Sequence, residues 1–202
     1  TRLVGSEMCI RDRVSGMGTT IFAAHSIAIT AEQIVYIPGY GLRVATSTLV
    51  GNALGEKDIR KLKATERVSI LITLLIMVVN GIGLYLFAYP FMRLFTNSVN
   101  AARIGSEMLR LVSFSEPFFG LMIVLEGISY GMGRTKHVFA CEAVSMWGIR
   151  IFGTFLCVNV FGLGLKAVWL CMIADNICKA ILLYIFRPKH VEENADDRGA
   201  LR

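Results

Sequence analysis

The chain has 202 residues, of which 54% are hydrophobic, with a mean hydropathy of +0.59 and a formal net charge of +6. That is more apolar than an ordinary soluble domain. The basic residues lie in short segments between apolar runs instead of on a face interleaved with aromatics, which argues against nucleic acid and for a membrane surface.

The first 13 residues, TRLVGSEMCIRDR, share no character with the rest of the chain and resemble the translated read-through of a sequencing adapter. They are set aside as a non-native leader, and with Thr1 in place of Met the chain is expected to be a fragment. No signal peptide is expected at the start, where the apolar sequence begins late and is too polar.

Five apolar stretches come next, each near or above the roughly 20 residues that cross a bilayer. The first, about residues 19–50, contains His25, Glu32 and Arg43. Pro38, Gly39 and Gly41 are expected to break its helix, because proline lacks the N–H of an i→i−4 bond and glycines loosen the same turn. Beyond the break, Ala45, Thr48, Asn52 and Gly55 share one side, and Gly51 and Gly55 have the GxxxG spacing of close-packed membrane helices. The second stretch, Val68–Tyr89, has 22 residues without a charge and reads as a plain membrane span. The third, about residues 108–132, holds Glu116–Pro117 and Glu126, and is flanked on its far side by Gly127 and Gly131. The fourth, about 138–161, holds Glu142 and Arg150. The fifth, about 166–186, holds Asp175 and Lys179. The tail from Arg187 is charged and nearly free of apolar residues, so a disordered cytoplasmic end is expected over its last residues, 191–202.

Lysine and arginine alternate between the loops. Five fall between Lys57 and Arg67, two at Arg134 and Lys136, and two at Arg187 and Lys189. A basic excess on these loops places them in the cytoplasm together with the C-terminus. The fold class these features predict is an all-α polytopic membrane protein with five transmembrane helices.

An ionisable group in a membrane span costs about 2.5–3.5 kcal/mol on insertion scales, so each is a functional candidate. Glu32 shares a helix face with His25 and either couples to an ion, bonds a neighbouring helix or lies at the outer interface; His25 alone suits packing. Glu116 precedes Pro117, whose missing N–H frees a carbonyl one turn back, making a cation or proton site; the other reading is a carboxylate near the interface. Glu126 is either a buried proton carrier or the partner of a basic group on another helix. Arg43 could contact an anionic substrate or pair with a carboxylate. Asp175 and Lys179, at i,i+4, can neutralise each other, and Glu142 with Arg150 could do the same across two turns. The five cysteines form no CxxC, and no metal-ligand set is read. HExxH, GxSxG and Walker signatures are missing, which argues against an enzyme.

Two stretches resemble the multidrug and toxic compound extrusion (MATE) family: FAAHSIAITAEQIVYIPGYGLRVATSTLVGNALGEKD at 22–58 and GISYGMGRTKH at 127–137. With the spacing of the spans, the likeness covers roughly residues 14–190. It implies a partial C-terminal lobe of a twelve-helix fold, with the other lobe as its missing partner. It also implies a plasma-membrane antiporter that exports cationic or amphipathic small molecules in exchange for H⁺ or Na⁺, with no other cofactor. Candidate coupling or substrate residues are then Glu116, Glu126, Glu32, Arg43 and Asp175. A cation-binding aspartate found in one branch of the family corresponds here to Phe119, so that site does not carry over. The alternatives are a lipid-linked saccharide flippase of the same superfamily, using Arg43 and Arg150 for a diphosphate, and a non-transport membrane protein.

Overall fold

The structure, a computed structural model, describes residues 19–157 and 165–186. Every regular element among them is helical: α1 Thr19–Gly55, α2 Ile59–Phe95, α3 Val99–Ser113, α4 Glu116–Gly131, α5 Thr135–Ser145, a π-helical stretch Met146–Ile151, α6 Phe152–Phe155 and α7 Leu165–Ile185. Residues 1–18 with the leader, 158–164 and the tail from 187 lie outside the described residues.

The polarity of α2 shows what solvent this bundle expects. Its buried face is Ser69, Thr73, Met77, Gly81, Leu84, Ala88 and Met92, at spacings of four and three. Between these positions, Leu71, Leu75, Val79, Ile82 and Leu86 are each more than half exposed. A soluble helix would do the opposite. Small and polar groups turned inward with leucine and isoleucine outward suit a hydrocarbon surround, where packing and not apolar burial draws helices together. Helices α1, α2, α7 and the run Thr135–Phe155 are each long and apolar enough to cross a membrane. Helices α3 and α4 qualify only as one broken span bent by 58°.

The expected break at Pro38, Gly39 and Gly41 does not occur. α1 runs through all three as one 37-residue helix, roughly 55 Å long at 1.5 Å per residue. Pro38 gives up one backbone bond, but hydrocarbon offers no water to replace the others, so unwinding would cost more than it relieves. Pro38 itself is exposed, whereas Gly39 is buried against α2 and α4: a Cβ there would lie 2.7 Å from the Met77 methyl and 3.4 Å from the Phe119 ring. Gly41 faces open space.

The real break lies in the third span, which by sequence reads as one crossing. The chain turns at Phe114–Ser115, and Pro117 sits in the first turn of α4, where its lack of an N–H costs nothing. The Ser115 amide and hydroxyl both donate to the Val112 carbonyl, at 2.7 and 2.8 Å, and close the end of α3. Helix α2 crosses this bend at Gly81, where a Cβ would meet the Ser113 carbonyl at 2.8 Å and Glu116 Cβ at 3.1 Å.

The GxxxG seam also lies elsewhere than expected. Gly55 meets nothing within 4 Å, and Gly51 approaches only the Gly131 carbonyl at 3.6 Å; Ala45, Thr48 and Asn52 are exposed. The close-packed pair is Gly127 and Gly131 of α4, seated on the α1 backbone. A Cβ at Gly127 would lie 2.7 Å from the Arg43 carbonyl, and one at Gly131 would lie 2.6 Å from the Ser47 carbonyl. The two carbonyls are one turn apart, as the two glycines are, so the helices lock in register.

Candidate functional site

The charged residues of the spans gather into three buried groups, each joining at least two helices. Nearest the α3–α4 bend, Glu116 is 0% exposed, and neither of its carboxyl oxygens has a hydrogen-bond partner among the described residues. Glu32 of α1 lies within electrostatic reach of it. Tyr36, one turn on from Glu32, donates its hydroxyl to Glu32 Oε1 at 2.5 Å and stacks on Phe119 with ring centroids 3.8 Å apart. Phe119 therefore holds the aromatic that orients Glu32, in the place where the resemblance would have put a carboxylate. Two acidic residues from α1 and α4 thus share one largely apolar compartment.

A second group sits toward the C-terminal end of α4. Arg43 donates to Glu126 Oε2 at 3.1 Å, and Glu126 is 3% exposed. The guanidinium lies against the Tyr40 and Tyr130 rings, 5.2 and 5.9 Å from their centroids. Cation–π contact and ion pairing act together here, so Arg43 has a defined seat. Of the two readings open for Arg43 and for Glu126, the structure favours mutual pairing. Glu142 of α5 lies within electrostatic reach of Glu126.

The third group centres on Asp175 of α7, which is fully buried. Its Oδ1 accepts from the Ser145 hydroxyl at 2.6 Å; its Oδ2 accepts from Lys179 at 2.9 Å and lies 3.7 Å from Arg150. The i,i+4 pair forms as expected. Arg150 does not pair with Glu142, however: it sits on the π-helical stretch, whose wider turn aims it across at α7. π turns recur where a helix must re-aim a side chain. Replacing Asp175 with Asn should leave two buried cations without a counter-charge, destabilising the bundle by about 3–5 kcal/mol. Thermal melting of detergent-purified protein would show this, and Asp175→Asn/Lys179→Met should recover part of the loss.

His25 is buried and meets the Trp169 ring edge-on at 5.9 Å, so its ring packs against α7. Tyr36, Tyr40, Tyr130 and Ser145 join these groups without having been expected from the sequence. Tyr36 lies four residues from Glu32, and helical spacing could have found it. Tyr40, three residues before Arg43, could have been found the same way; Tyr130 and Ser145 act through partners far away in the chain, and no local signal marks them.

Helices with an inverted polarity and charge sequestered between them define a multi-pass membrane protein whose interior handles polar groups. The profile of the MatE family matches residues 4–156, and the chain belongs to that family. The chain is 30% identical over 171 residues to a probable multidrug resistance protein NorM of Thermotoga maritima, covering 84% of this chain and 36% of that protein. It is 23% identical to a probable multidrug resistance protein, YpnP, of Bacillus subtilis, covering 90% and 41%. A solved MATE structure in a bent conformation superposes with a TM-score of 0.84 at 16% identity, over 92% of this chain and 42% of that one. The chain therefore spans about two fifths of the proteins it resembles and takes the fold of a partial MATE lobe.

Proposed function

We propose that this chain is part of the C-terminal lobe of a cation-coupled antiporter in the plasma membrane. The whole protein exports drugs or other cationic or amphipathic small molecules in exchange for H⁺ or Na⁺, with its C-terminus in the cytoplasm. The relatives named as multidrug resistance proteins support the direction of this reading. The observation that carries it is Glu116, a fully buried carboxyl group with no hydrogen-bond partner among the described residues, within electrostatic reach of Glu32 at the hinge-like bend of the third span.

A carboxyl in such a place is neutral with a proton and charged without one. Each state favours a different packing of the bend, so binding and release of a cation shifts the population of inward- and outward-open forms. Tyr36 and Phe119 hold Glu32 in position and keep the compartment apolar. In the flippase alternative, Arg43 and Arg150 would bind a diphosphate, but both already face buried carboxylates that would be left without a counter-charge. That occupancy counts against the alternative.

The test restores the complete gene in an efflux-deficient host and follows ethidium accumulation with and without an ion gradient. Glu116→Gln keeps shape and removes titration. It should bring gradient-dependent efflux down to the level of the empty host at unchanged protein abundance. Efflux by the variant equal to wild type would rule out Glu116 as the coupling group. Failure of the wild-type protein to lower ethidium would count against the transport reading itself.

A further inference from the structure

Where α3 meets α2 and the start of α7, a groove of about 420 Å³ opens to the outside of the bundle, lined by Tyr85, Glu107, Arg110, Phe114 and Lys166 among others. Three helices bring these groups together. Tyr85 lies near the end of the uncharged α2 run, Lys166 is the second residue of α7, and Phe114 is the residue where α3 bends towards α4. Exposed charged groups of α3 and α7 meet aromatic side chains here, a combination favoured where helices approach the membrane surface.

The lining is arranged by charge. Lys166 pairs with Glu107 at 3.1 Å, with both side chains well exposed. Arg110, one turn beyond Glu107 on the outer face of α3, lies 5.9 Å from the Tyr85 ring centroid. Tyr85 in turn meets the Phe114 ring edge-on at 5.7 Å. Two cations against one carboxylate leave an excess of one positive charge. Arg103, one turn before Glu107, adds another nearby. Close to this rim in the chain, Ile82, three residues before Tyr85 on α2, is 57% exposed, and Phe118, four residues after Phe114, is 45% exposed.

A basic, aromatic rim with exposed apolar side chains close by matches one kind of ligand. We propose that this groove is a binding site for an anionic phospholipid of the outer leaflet. Its phosphodiester would sit between Arg110 and Lys166, and its acyl chains would run down past Ile82 and Phe118. Soluble phosphate has no use for the apolar side chains, and a zwitterionic lipid would not need the excess charge. A lipid held here would touch α2, the bend and the start of α7 at once, and so brace the broken span at its bend. Such a site would hold its lipid whether or not the whole protein exports drugs.

Native mass spectrometry of the complete gene product, released from detergent with added phosphatidylglycerol or phosphatidylcholine of identical chains, tests it. Each basic group near a membrane surface favours an anionic lipid by about five-fold. Phosphatidylglycerol should therefore be retained in preference to phosphatidylcholine, and Arg110→Gln/Lys166→Gln should lower its retention at least about ten-fold while leaving phosphatidylcholine unchanged. Arg110→Lys/Lys166→Arg keeps the charge and should keep the lipid. Equal retention of the two lipids by the wild type, or a double Gln variant that holds phosphatidylglycerol as before, would overturn the proposal. So would displacement of the lipid by inorganic phosphate alone. The lipid-free melting temperature of the Gln variant should match the wild type, which separates loss of the site from loss of the fold.

Discussion

Leucine at Gly131 is expected to prevent α1 and α4 from docking. A Cβ at this position would lie 2.6 Å from the Ser47 carbonyl and 2.8 Å from Val50 Cβ, and neither is the free end of a flexible side chain. Relief requires one helix to move by the width of a methyl group or more. That movement would also pull Gly127 off the Arg43 carbonyl, because both contacts lie on one seam. Overpacking a core costs about 1–3 kcal/mol where side chains can adjust, and more when the obstacle is backbone. Gly131→Leu should thus cost at least about 3 kcal/mol, seen as loss of the monodisperse peak in detergent and a sharp fall in melting temperature. Gly131→Ala should show a smaller loss in the same direction. Gly83→Leu supplies the control: Gly83 meets nothing within 4 Å, and leucine there should change stability by less than about 0.5 kcal/mol. Equal tolerance of leucine at 83 and 131 would rule out a glycine seam between α1 and α4.

The second large effect concerns Arg43 and Glu126. Arg43→Gln leaves Glu126 buried, with Glu142 beside it and no cation opposite. Loss of one partner from a buried pair costs about 3–5 kcal/mol; the Arg43 side chain is 31% exposed, which brings the expectation down to roughly 2–3 kcal/mol. Glu126→Gln should cost less, since the half-buried guanidinium keeps its two tyrosine faces and reaches water. The double variant Arg43→Gln/Glu126→Gln should be more stable than Arg43→Gln alone, and a double-mutant cycle should give a coupling of about 1–2 kcal/mol. Additive single effects would mean that the two groups do not act on each other.

Much of this fold is legible in the sequence because hydrocarbon imposes strong rules. The uncharged run Val68–Tyr89 within α2 and the end of α7 near Phe186 follow from bilayer thickness and the cost of burying charge, both of which act on local sequence. The i,i+4 pair Asp175–Lys179 is visible for the same reason, since a helix makes near neighbours of residues four apart. Pro38 misleads because proline and glycine are read as breakers on water-based expectations. In a membrane the surrounding backbone bonds have no competitor and the helix continues. Pro117 does mark a break, because Ser115 can bond back to Val112 and α2 offers Gly81 to pack closely over the bend.

By itself, the sequence determined a five-span membrane protein of the MatE kind, and it marked which residues carry charge into the bilayer. Those properties depend on counts, periods and local spacing. Only the tertiary structure decided that Arg43 meets Glu126, that Arg150 turns to Asp175 instead of Glu142, that Glu116 lies within electrostatic reach of Glu32, and that Gly127 and Gly131 form the seam instead of Gly51 and Gly55. Each of these depends on which faces of two helices meet, and every helix here offers more than one small or charged face. The choice among them is made by how all the helices pack together, which no stretch of sequence contains.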